Sequence, residues 1–110
     1  MARLVVSPEA ENDIDAIAAF IAQCDGATRA MIVANRIRQT MENLAFMPGV
    51  GGKRHYLDKL WRAFPVSPWT IYYKLQPDGD GIEVLRVVDG RRDLPALFKG
   101  KSRRRPRRDG

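Results

Sequence analysis

The spacing of apolar residues changes once along this sequence, from a helical repeat of about 3.6 residues to a simple alternation. The change falls at a glycine-rich stretch, residues 48–59, near the middle of the 110-residue chain. Apolar residues with the first spacing line one side of a helix, and those with the second line one face of a strand. The sequence therefore predicts an α+β fold in which a helical half precedes a sheet half.

The first helix is predicted to begin at Ser7, because serine is a favoured N-cap and the next residue, Pro8, suits the first helical position. An apolar stripe at helical spacing follows, formed by Ile14, Ile17, Ala18 and Ile21. We expect this stripe to pack inward. The helix should end near Gly26, and the nearby Cys24 is expected to be a small buried residue.

A second helix is predicted from about residue 27 to residue 47, because a longer apolar stripe runs up to a Met-Pro-Gly stop. Only a few residues separate the two helices, so they should form an antiparallel hairpin. A short β-prone run at residues 3–6 precedes them and is predicted to be a strand.

Three strands are predicted after the glycine-rich stretch, at residues 60–66, 69–75 and 82–88. Short turns rich in Pro, Gly and Asp connect them, which implies an antiparallel meander. In the middle strand the alternation places Tyr73 on one face and Tyr72 on the other. The complete prediction is one domain, residues 1–98, with an N-terminal strand and a two-helix hairpin packed on a mainly antiparallel sheet.

The net charge of +6 comes entirely from residues 99–110, which hold seven Lys or Arg side chains against one Asp. Residues 1–98 carry twelve basic and twelve acidic side chains. A like-charged run with almost no apolar residue cannot bury a core, so we predict a disordered basic tail at residues 99–110. A basic nucleic-acid-binding face on the body is not predicted, although the tail carries charge that attracts phosphates.

Cofactor, metal and membrane functions are not predicted. The glycine-rich stretch lacks the Gly-Lys-Ser/Thr ending of a nucleotide-binding loop, and the single histidine, His55, has no metal-binding pattern around it. No apolar run approaches the roughly 20 residues of a membrane span, and no signal-peptide core is present. With Cys24 as the lone cysteine, the reducing cytoplasm is the expected location.

Several segments, in this order, resemble the RelE/ParE superfamily of toxins from bacterial type II toxin–antitoxin systems. They are Ser-Pro-Glu-Ala at 7–10, Asn-Leu-Ala-Phe-Met-Pro-Gly at 43–49, Trp-Arg-Ala-Phe-Pro-Val at 61–66, Ile-Tyr-Tyr at 71–73 and Ile-Glu-Val-Leu-Arg-Val-Val-Asp-Gly-Arg-Arg-Asp-Leu at 82–94. The likeness spans about residues 3–98. It implies a small toxin that a cognate antitoxin neutralises by wrapping around it, in a hetero-oligomer.

Two chemistries occur in this superfamily. The RelE-like branch cleaves messenger RNA on the ribosome, which requires an acid, a base and cations on the phosphate. Arg62 and Arg92 match two of its basic positions. Thr70, Asp89 and Phe98 stand where such relatives often carry Arg, His and Tyr, so a full acid–base set is absent. The side chains that could substitute are His55, Tyr56 and Tyr72.

The last part of the likeness, residues 82–94, is closer to the ParE-like branch, whose members bind DNA gyrase and block its cycle. We therefore expect a non-catalytic gyrase inhibitor; the alternative is a ribosome-dependent endoribonuclease that uses Arg62 and Arg92. The residues expected to contact the target or the antitoxin are Arg62, Tyr72, Arg86, Arg91, Arg92 and Phe98. For Arg86, an ion pair with Glu83 or Asp93 within the chain is the competing interpretation.

Overall fold

The computed structural model describes residues 2–53 and 61–90. Along the chain, the elements are strand β1 (Arg3–Val6), helix α1 (Pro8–Asp25), helix α2 (Ala27–Phe46), a short 3-10 helix (Pro48–Val50) and strands β2 (Trp61–Val66), β3 (Trp69–Leu75) and β4 (Gly81–Asp89). The predicted α+β fold and the change from helices to strands are confirmed. The basic tail lies outside the described residues, as does the predicted end of the domain at residue 98.

The four strands form one sheet in the order β1-β4-β3-β2. Strands β2, β3 and β4 make the predicted antiparallel meander, and β1 pairs with β4 as a parallel strand, with Arg3 opposite Gly81. A parallel pair needs a long crossover connection, and the helical hairpin supplies most of it. The register between β3 and β4 shifts between Tyr72 and Tyr73, as it does at a β-bulge.

Both helices pack against the sheet and share one apolar core with it. The largest side chains that are buried there are Tyr73, Ile37, Met41, Leu44, Ile71, Ile82, Val84 and Val87. Ile14 and Ile21 of α1 are buried as predicted. Ile17 is only half-buried, because a side chain three residues after Ile14 points about 60° away around the helix. The inward stripe of α1 is therefore narrower than the sequence predicts.

The ends of α1 match the sequence signals. The Oγ atom of Ser7 accepts a hydrogen bond from the backbone N–H of Ala10 at 3.0 Å, so Ser7 is the N-cap. Gly26 connects the two helices at a φ of 95°, a conformation that favours glycine. The prediction for Cys24 is wrong: this residue is exposed, because it lies about 80° around the helix from Ile14.

The hydroxyl of Tyr73 holds the segment that follows α2. It accepts a hydrogen bond from the backbone N–H of Gly51 at 2.9 Å and donates one to the carbonyl of Pro48 at 2.8 Å. Burial raises the pKa of Tyr73, so the hydroxyl stays protonated and keeps its donor role. Gly51 lies so close to the ring that a Cβ atom at this position would overlap the phenol. Only glycine fits here without a shift of the segment.

We predict that Gly51→Ala lowers the free energy of unfolding by about 1–3 kcal/mol, because the added methyl group overpacks the site against Tyr73. Gly49→Ala is the matched control, since a Cβ atom at Gly49 meets nothing within 4 Å. The control should stay within about 0.5 kcal/mol of the parent. Urea unfolding of both variants checks this prediction, and equal stabilities would show that the Gly51–Tyr73 contact does not constrain the segment.

Candidate functional site

Strand β4 is longer than its parallel neighbour. β1 pairs with β4 only as far as Val84, because the chain leaves the sheet at Ser7 and enters α1. Ser7 continues the ladder for one step: its backbone N–H donates to the carbonyl of Val84 at 3.0 Å, and its Oγ donates to the carbonyl of Leu85 at 3.0 Å. Beyond this point the backbone of β4 needs partners from another element.

The carboxylate of Asp13, on α1, supplies that partner. Its Oδ2 atom accepts hydrogen bonds from the backbone N–H of Val87 at 2.9 Å and from Nε of Arg86 at 2.7 Å. Its Oδ1 atom accepts from Nη2 of Arg86 at 3.0 Å, so the guanidinium is held by two parallel bonds. A single side chain thus replaces a strand neighbour and neutralises a charge at the edge of the sheet.

The ion pair between Asp13 and Arg86 is largely withdrawn from water. The side chains are 15% and 25% exposed, respectively. The hydrogen bond to Asp13 raises the pKa of Arg86 and outweighs the opposing effect of burial. Of the two partners expected for Arg86, Glu83 instead has its carboxylate 3.9 Å from Nζ of Lys74, and Asp93 lies outside the described residues. Arg86 therefore forms an ion pair within the chain, as the competing interpretation holds, but its partner is Asp13, 73 positions away, rather than Glu83.

A groove of about 350 Å³ lies beside this ion pair, between α1, the start of β3 and the end of β4. Most of its lining is apolar and comes from Ala16, Ile17, Phe20, Pro68, Trp69, Val87 and Val88. The charged side chains at the groove are Asp13, Arg86 and Asp89. Phe20 is 66% exposed, which is unusual for a phenylalanine on a helix that packs in a core. The site is thus a small apolar groove with a neutralised ion pair at its wall.

Of the three predicted site residues that the structure describes, Arg62, Tyr72 and Arg86, one lies at this groove, namely Arg86. Tyr72 lies in β3 opposite Arg86 in register and is only 2% exposed. Arg62 lies on β2, which is two strands away, or about 10 Å. The remaining three, Arg91, Arg92 and Phe98, lie outside the described residues.

Sequence reasoning missed the residues that build the groove. No sequence signal distinguishes Asp13, because an acidic residue near the start of a helix suits the helix dipole whatever else its side chain does. Phe20 and Trp69 were not assigned to a site. The one available signal was Phe20 itself, a large aromatic residue that lies outside the apolar stripe of its helix.

Within residues 2–53 and 61–90, no cluster of three or more His, Cys, Asp or Glu side chains is arranged to hold a metal ion. Neither α1 nor α2 is long and apolar enough to cross a membrane, and no other helix of the described part is.

A family model of the ParE toxin of type II toxin–antitoxin systems (parDE) matches residues 4–94. The chain belongs to the ParE toxin family. Toxin ParE3 from Caulobacter vibrioides is 30% identical over 102 residues, which cover 93% of this chain and 100% of the relative. The resemblance to the superfamily and the preference for its ParE-like branch are confirmed.

The fold is also shared with a solved structure, described as the chromosomal ParDE TA system from P. aeruginosa. The superposition has a TM-score of 0.68 at 21% sequence identity and covers 81% of this chain and 96% of the solved one. The strand–hairpin–meander arrangement is thus a ParE fold. The basic tail lies beyond the residues that the family model matches.

We predict that Asp13→Asn lowers the free energy of unfolding by about 1.5–3 kcal/mol, because the ParE chain then loses a charge-assisted pair of hydrogen bonds at a poorly hydrated site. Asp78→Asn is the matched control: Asp78 also pairs with an arginine, Arg3, at 2.9 Å, but the two side chains are 60% and 52% exposed. An exposed pair of this kind contributes at most about 1 kcal/mol. Urea unfolding of both variants should separate them, and equal losses would contradict a special role for Asp13.

Proposed function

We propose that this ParE-family toxin inhibits bacterial growth by binding DNA gyrase in the cytoplasm, without catalysis, and that a cognate antitoxin neutralises it. The observation that carries the proposal is the family match across residues 4–94, because gyrase inhibition is the action that the ParE-like branch implies. Messenger RNA cleavage on the ribosome is the competing outcome, and the experiment below is designed to detect it.

The chemistry of the described residues supports inhibition rather than catalysis. Tyr72 is 2% exposed, and Tyr73 is fully buried with its hydroxyl bonded to the chain, so neither presents a phenol to a large substrate. Thr70 and Asp89 cannot supply the guanidinium and imidazole that messenger RNA cleavage uses at these positions in relatives. The guanidinium of Arg86 already faces a carboxylate, that of Asp13, which makes it a weak partner for a phosphate.

The test compares two readouts with the same toxin. We expect the purified chain to slow supercoiling of relaxed plasmid by gyrase, while primer extension on translated messages shows intact RNA at growth arrest. Codon-phased cuts that vanish in Arg92→Ala would reject the proposal and assign the chain to ribosome-dependent cleavage.

A pair of variants tests whether Arg86 contacts the target. Arg86→Ala and Asp13→Asn break the same ion pair from its two sides, so they should lose stability to a similar extent. Only Arg86→Ala removes the guanidinium group itself. If Arg86 binds gyrase, Arg86→Ala should raise the concentration for half-inhibition of supercoiling at least ten-fold more than Asp13→Asn does, at a temperature where both are folded. Equal effects would reassign Arg86 to a structural role.

We propose that the antitoxin covers the groove beside α1. The groove combines exposed apolar surface from Phe20 with a half-buried Ile17 and Trp69, and its volume suits one or two apolar side chains of a partner segment. A segment that orders on binding can contribute such side chains from one face of a helix. Because Asp13 already pairs with Arg86, the apolar contact rather than a new ion pair should dominate here.

We predict that Phe20→Glu weakens antitoxin binding at least ten-fold, because it places a charge where the partner's apolar side chain would be buried. Phe46→Glu is the matched control: this phenylalanine is similarly exposed, at 72% against 66%, but does not line the groove. Titration calorimetry with the antitoxin measures the effect, and co-expression should rescue growth for Phe46→Glu better than for Phe20→Glu. If Phe20→Glu and Phe46→Glu bound the antitoxin with equal affinity, the antitoxin would not cover the groove.

A further inference from the structure

Two arginines of helix α2 lack a carboxylate partner within the described part of the chain. This part holds eight Lys or Arg side chains. Four of them form ion pairs with carboxylates, namely Arg3, Arg38, Lys74 and Arg86. Lys53 and Arg62 are engaged in other contacts. Arg29 and Arg36 remain; both are exposed, and neither lies within ion-pair distance of a described carboxylate.

These two arginines lie on one side of α2 with Ile32 between them, and we call the three residues the arginine face. Spacings of three and four residues place their side chains on the same side of the helix, and the arginines are about 10 Å apart along its axis. Ile32 is 54% exposed, so an apolar side chain lies uncovered between two charges. Arg29 is in the first turn of α2, where the helix dipole disfavours a cation. The stability of the fold therefore does not account for this face.

Arg36 connects the arginine face to the groove beside α1. Its Nη2 atom donates a hydrogen bond to the carbonyl of Ser67 at 2.7 Å. The next residue, Pro68, lines the groove, and its own carbonyl accepts from the backbone N–H of Gly90 at 2.8 Å. One N–H of Arg36 is used in this way, and the other donors of the guanidinium are available to a carboxylate. The arginine face and the groove thus meet at the Ser67–Pro68 turn.

We propose, on the basis of neutralisation by an antitoxin but independently of gyrase as the target, that the arginine face binds an acidic segment of the antitoxin. This segment continues from the groove over the Ser67–Pro68 turn. It carries two carboxylates about 10 Å apart with an apolar side chain between them, an arrangement that two turns of a helix provide. Planar guanidinium groups hold carboxylates through paired hydrogen bonds, so Arg29 and Arg36 suit this partner.

The surrounding charges favour a polypeptide over a nucleic acid. The described part of the chain holds ten acidic side chains against eight basic ones, and α1 holds five acidic residues and no basic one. Such a surface repels a long, uniformly charged polyanion, whereas a short acidic segment places its carboxylates only at the two arginines. A phosphate backbone also offers no apolar side chain to cover Ile32. The chemistry that fits the whole face is therefore a mixed acidic and apolar segment.

Titration calorimetry of the full-length chain with its purified cognate antitoxin tests the proposal. Arg29→Gln and Arg36→Gln each remove one unpaired charge and should weaken binding about three- to five-fold at low salt. Arg38→Gln is the matched control, because it makes the same change on the same helix but Arg38 already pairs with Glu11 at 2.8 Å. The control should change the affinity less than about two-fold. At about 1 M salt, where the screening length is about 3 Å, all losses should fall below about two-fold.

Charge reversal identifies the contact itself. Arg36→Glu should weaken binding more than Arg36→Gln does, because like charges then face each other. Antitoxin variants in which single Asp or Glu residues are changed to Arg are screened by the same titration. One of them should recover about three-fold or more of the affinity of Arg36→Glu. The same antitoxin variant should not rescue Arg38→Glu, since Arg38 lies outside the arginine face.

Three results would overturn the proposal. The first is equal affinity of Arg36→Gln and Arg38→Gln for the antitoxin at low salt. The second is a loss in Arg36→Gln that persists at high salt with no rescuing antitoxin variant, which would mean that Arg36 acts only by holding the turn beside the groove. The third is duplex DNA that displaces the antitoxin from the parent but not from Arg29→Gln/Arg36→Gln, which would assign the face to phosphates.

These results are distinguishable from failures of the proposed function. An antitoxin that does not bind the parent would reject neutralisation itself, and the arginine face with it. Equal binding by Phe20→Glu and Phe46→Glu would reject the groove alone, because the comparison of Arg36→Gln with Arg38→Gln stays valid. An inactive chain in the supercoiling assay would reject gyrase as the target and leave the antitoxin titrations unaffected.

Discussion

The fold depends on how one carboxylate completes the edge of a sheet. Strand β4 extends past β1, and its exposed backbone is satisfied first by Ser7 and then by Asp13, both at the start of the helical hairpin. These two contacts, six residues apart, fix α1 along β4 instead of leaving it attached through apolar contacts alone. Ile17 and Phe20 then follow Asp13 by about one and two helical turns, which places them over the start of β3 and the end of β4. The groove is therefore a geometric result of the Asp13 contact.

Much of the fold follows from local signals, because those signals act over a few residues. The N-cap at Ser7, the glycine between the helices and the alternation in the strands each specify an element without reference to the rest of the chain. The error at Ile17 has the same origin: spacing defines a broad helical face, but only the partner sheet decides which part of that face is covered.

The site could not be predicted in the same way. The contact between Asp13 and Arg86 joins positions 73 residues apart and depends on strand order, on the length of β1 relative to β4 and on the register shift next to Arg86. None of these three features can be predicted from a short stretch of the sequence. Family resemblance supplied what local physics could not, namely membership of a toxin family. It did not identify which side chains are already engaged within the chain, and for Arg86 that distinction decides whether a substitution reports on binding or on folding.

The parallel pairing of β1 with β4 has a consequence for synthesis. Within the residues that the structure describes, the only strand neighbour of Arg3–Val6 is β4, so β1 has no partner there until Gly81 and its neighbours have been made. At a translation rate of about 5–20 residues per second, β1 therefore stays without this partner for roughly 4–15 seconds. The sheet beneath the helices is incomplete throughout that interval, and the groove, which needs the end of β4, does not yet exist. The sheet that carries the helical hairpin is therefore completed only after Val84 has been synthesised, although both helices precede it in the chain.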